Sequence, residues 1–319
     1  MSDDVIVVGG GVIGLTTALT LAERGHRVRV WSRDAVTGTT SAVAGALWWP
    51  YRIEPAAEVA RWSLESLRVY EKLAGDAGAT GVRIVAGVHA DTVLGDLGDW
   101  TREVSGLRQL AAEEVPGPYG TGLAARLPLI DMPVHLAWLR DRSEAAGVVP
   151  ERRTVTGFAE AARAAEVVVV DCTGLGAREL VPDARMRPVR GQLVLVENPG
   201  IEEWFTAADS ASSETTYFFP QPGRLILGGT AQEGDERPDP DPATAAAIVA
   251  RCARVRPEIA GARVLGHRVG LRPVRSGGVR IAAEPLPGGG RLIHNYGHGG
   301  AGVTVAWGCA RQAADLAVG

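Results

Sequence analysis

Cysteine is scarce in this chain, and the few thiols form no recognisable site. The 319 residues include three cysteines, Cys172, Cys252 and Cys309, which lie far apart. An odd number of cysteines without metal-ligand spacing is typical of reduced thiols in a protein core. We therefore expect no metal site, and we expect the protein to work in a reducing compartment.

Runs of basic residues are also missing. The chain has 33 Lys and Arg against 37 Asp and Glu, a formal net charge of -4, and both signs are scattered along it. Binding to nucleic acid or to an anionic membrane surface would call for clustered positive charge. We therefore expect neither of them as a partner.

Long apolar runs are absent as well, and no stretch is long enough to span a bilayer. The first strand pattern begins almost at the amino terminus, which leaves no room for a secretory signal. The final residues, Ala317, Val318 and Gly319, are not a Ser-Lys-Leu peroxisomal address. These features predict a cytoplasmic protein, in a bacterial setting.

Glycine, by contrast, is placed where a dinucleotide site needs it. Residues 5–8, Val-Ile-Val-Val, are typical of a strand buried on both faces, and they lead directly into residues 9–14, GGGVIG. Gly9 permits the tight turn, Gly11 lets a pyrophosphate approach the backbone, and Gly14 lets the next helix pack close to the strand. The free N–H groups of that helix would face the phosphates.

The residues that follow the motif support the same interpretation. A helical pattern runs to Gly25, and residues 28–31 predict a second strand. Asp34 stands twenty residues after Gly14, where a ribose-binding carboxylate is expected, and Arg33 beside it leaves the ribose partner open. These first residues predict a Rossmann-like, doubly wound α/β domain, for which NAD and FAD are equally suitable.

The rest of the chain alternates between this pattern and a different one. Strands are expected at residues 82–89, 167–170, 192–196, 216–219, 225–227 and 292–295, and helices at 58–74, 133–146 and 242–253. A last apolar helix is expected to follow the turn that ends at Thr304 and to end near Leu316. Residues 106–133 are dense in Gly and Pro, which predicts loop with short strands at most.

The buried parallel pattern returns at residues 167–170, so we expect a second domain to be inserted into the first. We assign residues 1–50, 135–185 and 265–319 to the dinucleotide-binding domain. Residues 51–134 and 186–264 are assigned to a smaller α+β domain with a mixed or antiparallel sheet, which would bind the substrate.

A second glycine-rich turn lies between a strand and a helix at residues 296–304, YGHGGAGVT. Four glycines exceed what a structural turn needs, so close approach of a ligand to this backbone is the preferred explanation.

Taken together, the motifs resemble those of the D-amino acid oxidase family, which includes the D-aspartate oxidases. The resemblance covers nearly the whole chain, and it is carried by residues 5–14, 44–51 (AGALWWPY), 190–192 (RGQ), 217–220 (YFFP), 270–275 (GLRPVR) and 294–304 (HNYGHGGAGVT). It implies FAD as cofactor and oxidation of a D-amino acid to an imino acid, which hydrolyses to a 2-oxo acid and ammonia. Dioxygen would be reduced to hydrogen peroxide.

The resemblance also implies roles for particular residues. Arg272 would bind the substrate carboxylate with its forked guanidinium, Tyr217 would support the same carboxylate, and the carbonyl of Gly300 would accept from the substrate amine. Hydride transfer from the α-carbon to flavin N5 needs no side-chain base, so His294 and His298 are expected to be structural, as is Arg275.

Each residue that the resemblance implies for FAD binding has a small side chain, an available N–H group, or a position near the phosphates or the adenosine. They are Gly9, Gly11, Val12, Ile13, Gly14, Arg33, Asp34, Thr39, Thr40, Gly45, Ala46, Leu47, Val155, Thr173, Gly299, Gly300, Gly302, Val303 and Thr304. The hydroxyl of Thr304 would face the flavin ring.

Two departures from the family bear on the substrate. Trp49 replaces a smaller polar residue, and the loop before Tyr217 is short and lacks an additional tyrosine and an arginine for a second carboxylate. With Leu47 and Trp49 in the substrate site, neutral and apolar D-amino acids are expected to be preferred over D-aspartate.

Three further functions stay open: a D-aspartate oxidase, a glycine or sarcosine-type amine oxidase, and a catalytically idle FAD-binding protein. A homodimer is one assembly that the sequence allows.

Overall fold

The computed structural model describes residues 4–162, 168–207, 213–286 and 289–318. The strands in this part of the chain are β1 (Asp4–Val8), β2 (Arg27–Ser32), β3 (Val82–Ala90), β4 (Arg108–Gln109), β5 (Gly122–Ile130), β6 (Val149–Arg152), β7 (Val168–Asp171), β8 (Met186–Val196), β9 (Trp204–Ala207), β10 (Glu214–Gln221), β11 (Arg224–Thr230), β12 (Gln232–Glu233), β13 (Val264–Arg275), β14 (Arg280–Pro285) and β15 (Arg291–Tyr296). The helices are α1 (Val12–Glu23), α2 (Thr40–Val43), α3 (Ala56–Leu73), α4 (Ala77–Thr80), α5 (Met132–Ala145), α6 (Ala159–Ala162), α7 (Ala177–Leu180), α8 (Pro242–Ala253) and α9 (Gly302–Val318).

Six of the described strands form the first sheet, in the order β14-β15-β7-β1-β2-β6. All neighbours in it are parallel except β14 and β15. Side chains of β1 alternate between two cores: Val5 and Val7 pack with Ala18 of α1 and Ala314 of α9, whereas Ile6 packs on the opposite face. Both faces are therefore covered, as the apolar run at residues 5–8 predicted.

The second sheet has nine described strands, in the order β12-β8-β11-β10-β9-β3-β5-β4, with β13 paired to β8. Its pairs are antiparallel except β3 with β9. A mixed sheet was expected here, and the predicted helix at residues 242–253 coincides with α8. The α/β fold with a second, mixed sheet is confirmed.

One prediction for this sheet is wrong. Residues 106–133 were expected to be loop with short strands at most, yet β5 is nine residues long and pairs along the whole of β3. Leu123, Ala125 and Leu127 are buried and Arg126 is exposed, so the alternation typical of a strand is present over residues 123–127, and residues 127–130 are all buried. The high local content of Gly and Pro concealed that alternation.

Strand pairing also disagrees with the domain boundary predicted at residue 265. Residues from 265 onward were assigned to the dinucleotide-binding domain, but β13 pairs with β8 along its length and so belongs to the second sheet. Residues beyond β13 return to the first sheet as β14 and β15. The division into two domains stays a prediction. Val167 of the predicted strand and residues 210–212 of the loop before Tyr217 lie outside the described residues.

Helix α9 packs closely on α3 through a glycine. A Cβ placed on Gly308 would lie 2.3 Å from the Cα of Trp62 and 2.5 Å from its carbonyl oxygen. The Ser66 hydroxyl accepts from the N–H groups of Trp307 and Gly308, both at 3.1 Å, and Tyr70 donates to the carbonyl of Val303 at 2.8 Å. These contacts fix the start of α9, where the second glycine-rich turn ends.

No helix among the described residues is long and apolar enough to cross a membrane.

The Gly308 contact predicts a reversed effect of alanine. In an open helix, Gly→Ala stabilises by roughly 0.5–1 kcal/mol, but Gly308→Ala would push against the α3 backbone and should destabilise by about 1–3 kcal/mol. We expect its thermal unfolding midpoint to fall by several degrees. Gly75→Ala, where an added Cβ meets nothing within 4 Å, is the control and should stay close to the parent. A raised midpoint for Gly308→Ala would contradict this packing.

Candidate active site

A cavity of about 880 Å³ lies at the carboxyl ends of the parallel strands and reaches the face of the second sheet. Such crevices are where open α/β sheets bind ligands. Of the residues predicted for cofactor or substrate, all except Gly14 line this one cavity. They come from segments spread over nearly the whole chain, so the fold brings them together.

The first glycine turn is built by close backbone contacts. Gly9 has φ of 123°, and a Cβ on it would lie 2.3 Å from the carbonyl oxygen of Cys172. A Cβ on Gly14 would lie 1.8 Å from the carbonyl oxygen of Gly9. Gly14 thus acts through helix packing, as predicted, while Gly9 and Gly11 face the cavity. The first turn of α1 is directed into the cavity as a result.

The hydroxyl of Ser41 lies at this helix start and was missed by sequence reasoning. It accepts a hydrogen bond from the Val12 N–H at 3.0 Å, so its own proton is available to a phosphate oxygen. The neighbouring Thr39 and Thr40, which were predicted, line the cavity too, but they donate to the carbonyls of Val36 and Leu271. The Thr/Ser-rich segment at residues 37–41 carried the signal for Ser41.

The end of the cavity farthest from the second sheet is more polar. Arg33 and Asp34 line it and form an ion pair with each other at 3.0 Å. Val155 and Thr173 also lie here, and the Thr173 hydroxyl donates to the Asp171 carboxylate at 2.6 Å. Arg153, which was not predicted, lines the same end and lies over the Trp31 ring, 4.0 Å from its centroid. This end offers the mixed charges and flat apolar surface that suit an adenosine.

The middle of the cavity is lined by the segment at residues 45–47. Ala46 has a positive φ of 59°, and its carbonyl accepts from the Ile130 N–H at 2.9 Å. A Cβ on Gly45 would lie 2.8 Å from the ring of Phe219. The backbone here is therefore pressed against the second sheet, and only small residues fit between that sheet and a flat ligand.

The second glycine-rich turn lies across the cavity from this segment. Gly299, Gly300, Gly302 and Val303 line the cavity, and Gly299 has a positive φ of 54°. Thr304 also lines the cavity. Its hydroxyl donates to the carbonyl of Trp49 at 2.9 Å and accepts from its N–H at 3.2 Å. The single proton of this hydroxyl therefore joins two segments of the chain, and a contact of Thr304 with the flavin ring stays a prediction.

Arg272 is held at the end of the cavity nearest the second sheet. Its Nη1 donates to the carbonyl of Thr230 at 2.8 Å, and its guanidinium lies over Gly191, where a Cβ would be 2.6 Å from both Nη atoms. Gly300 lies against the same side chain, because a Cβ on Gly300 would be 3.2 Å from the Cδ of Arg272. Among the described residues no carboxylate lies within 4 Å of this guanidinium. A cation with an open fork is thus presented to the cavity.

Two tyrosines stand beside this cation. Burial raises the pKa of Tyr217 to about 12, although Arg272 acts in the opposite direction. Gly228 makes room for the Tyr217 ring, because a Cβ there would lie 1.9 Å from the ring. Burial also raises the pKa of Tyr51, against the effects of Arg52 and Arg272. Its hydroxyl is buried and has no hydrogen-bond partner in the described part of the chain. Tyr51 stood in a motif used for the resemblance but was given no role.

The two histidines of the second glycine-rich segment and Arg275 lie in buried surroundings. His298 lines the cavity, and burial lowers its pKa to about 3. His294 is fully buried 3.1 Å from Glu284 and is not part of the lining. Arg275 is buried in an ion pair with Asp183 at 2.8 Å, consistent with a structural role. The described residues contain no group of three His, Cys, Asp or Glu side chains that could hold a metal ion.

Comparison with known proteins agrees with this geometry. The family described as FAD dependent oxidoreductase matches residues 4–316. The D-amino-acid oxidase of Streptomyces coelicolor is 63% identical over 98% of this chain and 96% of its own length. The chain belongs to the D-amino acid oxidase family of FAD-dependent oxidoreductases.

Two further proteins match a similar share of the chain at lower identity. The D-amino-acid oxidase of Rubrobacter xylanophilus is 47% identical over 98% of this chain and 95% of its own length. The crystal structure of glycine oxidase from Geobacillus kaustophilus superposes with a TM-score of 0.80, covering 99% of this chain and 95% of that one, at 20% identity. That likeness concerns the fold alone.

The residues present fit the FAD that this family uses. Gly9, Gly11, Val12 and Ser41 line the cavity at the start of α1, where a pyrophosphate would lie, and the cavity extends from Arg33 and Asp34 to the second sheet. The contribution of each lining residue to FAD binding stays a prediction.

The position of Ser41 predicts a specific effect on the cofactor. Ser41→Ala removes one hydroxyl from the phosphate end, so we expect the dissociation constant of FAD to rise about tenfold, equivalent to ~1.4 kcal/mol. Titration of the apoprotein with FAD measures it. Ser143→Ala is the control, because Ser143 is also buried but donates to the Leu139 carbonyl within α5. Equal FAD affinities in both variants would refute the assignment.

Proposed function

We propose that this protein oxidises neutral, preferably apolar D-amino acids to imino acids, which hydrolyse to 2-oxo acids and ammonia, while dioxygen is reduced to hydrogen peroxide. The observation that carries the proposal is the open guanidinium of Arg272 in the FAD cavity, beside Tyr217 and Gly300. When bound, FAD supplies the oxidising chemistry by accepting two electrons from the substrate and passing them to dioxygen.

Arg272 would bind the substrate carboxylate. A guanidinium binds a carboxylate through two parallel hydrogen bonds, and such charge-assisted bonds are about twice as strong as neutral ones. The bond to the Thr230 carbonyl and the fit over Gly191 restrict the rotation of the side chain. Less conformational entropy is then lost when the substrate binds.

Tyr217 and Gly300 would complete the carboxylate and amine contacts. With its raised pKa, Tyr217 keeps its proton and can donate to the carboxylate. The Gly300 carbonyl remains our candidate to accept from the substrate amine. Orientation of the α-carbon is therefore the main contribution of these groups, and no side-chain base is required.

The lining around the substrate end favours neutral side chains. Leu47, Trp49 and Phe219 contribute apolar surface. Of the described arginines that line the cavity, Arg33 and Arg153 are paired with Asp34 and Glu160 at the opposite end, which leaves Arg272 alone here. A second carboxylate on the substrate would be buried without a cation, which is costly. We therefore favour this function over a D-aspartate oxidase.

The site gives less support to an idle FAD-binding protein or to a glycine-type oxidase. An idle protein would have no use for a fixed guanidinium that faces the cavity without a carboxylate partner. A glycine-type oxidase would not need the room lined by Leu47, Trp49 and Phe219.

The location and assembly of the protein belong to the same proposal. The three cysteines are all free and buried, which supports a cytoplasmic location. A bacterial source and a homodimer stay predictions.

The role of Arg272 predicts the effect of a conservative change. Arg272→Lys keeps the charge but loses the fork, so we expect kcat/KM for D-leucine to fall at least about tenfold, or ~1.4 kcal/mol or more. A peroxide-coupled assay measures it. Arg224→Lys is the control, because Arg224 pairs with Asp131 at 2.7 Å outside the cavity. Near-parental kinetics for Arg272→Lys would refute the role.

The lining predicts a substrate order. In the same assay we expect D-leucine and D-valine to have higher kcat/KM than D-aspartate, and L-alanine, glycine and sarcosine to give little peroxide. A higher kcat/KM for D-aspartate than for D-leucine would identify a D-aspartate oxidase instead. A preference for glycine or sarcosine would identify an amine oxidase of the glycine or sarcosine type.

A further inference from the structure

A row of side chains crosses three strands of the second sheet on the face that lines the cavity. His89 of β3 is paired in register with Thr206 of β9, and Thr206 is paired with Tyr217 of β10. Paired residues on neighbouring strands point to the same face, and all three line the cavity. The row therefore leads from Tyr217, beside Arg272, to His89 in two strand spacings of about 4.8 Å each.

His89 ends the row in a buried aromatic contact. Its side chain is 6% exposed, and its ring lies 4.5 Å from the ring of Trp49, which itself meets Trp100 edge-on at 5.3 Å. The Nδ1 atom of His89 is buried and has no hydrogen-bond partner among the described residues. A polar atom so placed is costly unless a ligand or water satisfies it.

The imidazole is uncharged at neutral pH, because burial lowers the pKa of His89 to about 4. A neutral imidazole offers one hydrogen-bond donor and one acceptor, and Thr206 adds a hydroxyl one strand closer to Tyr217. The apolar walls thus end in a small polar group without charge.

We propose that Thr206 and His89 form the polar end of the side-chain subsite, which accepts D-amino acids whose side chains end in an uncharged hydrogen-bonding group, above all the carboxamides D-asparagine and D-glutamine. This inference rests on the proposed function, because the substrate carboxylate must be anchored at Arg272 for its side chain to extend along the row. A carboxamide has both a donor and an acceptor, which match the two functions of a neutral imidazole.

The same chemistry separates amides from acids. D-asparagine and D-aspartate have nearly the same shape, but the carboxylate would have to lose its hydration next to a neutral imidazole. D-leucine has a similar shape again and offers no hydrogen bond. These three substrates therefore isolate charge and hydrogen bonding at constant size.

The test compares kcat/KM for D-asparagine and D-leucine in the FAD-loaded protein and in His89→Phe. Phenylalanine keeps a ring against Trp49 and removes both nitrogens. We expect the ratio of D-asparagine to D-leucine to fall about five- to tenfold, the loss of one or two neutral hydrogen bonds. Anaerobic reduction of the flavin at varied substrate concentration should locate the loss in substrate dissociation. Thr206→Val is a second, nearly isosteric variant that should lower the ratio in the same direction.

The matched control is His135→Phe, since His135 is also a buried histidine, stacked on Trp138 at 5.5 Å, but it lies outside the cavity. Its ratio should equal that of the parent. An unchanged ratio in both His89→Phe and Thr206→Val would overturn the inference, and so would a parent that uses D-aspartate better than D-asparagine. If the parent oxidises D-leucine with a higher kcat/KM than D-aspartate, such results leave the proposed function intact. If it oxidises no D-amino acid, the proposed function itself fails.

Discussion

Close packing at a few glycines determines where the cofactor and the substrate can meet. The close contact between Gly14 and Gly9 brings the start of α1 to the cavity. Gly191 leaves the volume that Arg272 occupies, and Gly228 leaves the volume that Tyr217 occupies. In each case a Cβ would overlap another atom at 2.6 Å or less. The positions of the helix start and of the guanidinium therefore depend on residues that have no side chain of their own.

We propose that two parts of the cavity bind negative charge by different means. At the start of α1, backbone N–H groups would face the pyrophosphate. At the end nearest the second sheet, Arg272 would offer a charged fork to a carboxylate. Between them the polar side chains are uncharged: burial raises the pKa of Tyr217 and lowers those of His89 and His298. Such a site orients its substrate more than it exchanges protons with it.

The sequence was most informative where one residue type has one physical use. The glycine turn at residues 9–14 and the apolar β1 could be predicted because backbone approach and strand burial each restrict the residue. The role of Arg272 came from the family resemblance and stays a prediction. The length of β5 was missed because the glycines and prolines around it are typical of loops. The contact of His89 with Trp49 and the bond between Thr304 and Trp49 join segments that are distant in sequence, so only the tertiary contacts identify them.

Anaerobic reduction of the bound flavin tests the central claim most directly, because it examines cofactor, chirality and reaction type in one experiment. Without dioxygen, D-leucine should bleach the yellow absorbance of the purified protein, and L-leucine at the same concentration should leave it unchanged. Admission of air should restore the colour. Equal bleaching by both enantiomers, or bleaching by neither, would contradict the proposal that Arg272 and the cavity orient a D-amino acid toward the flavin.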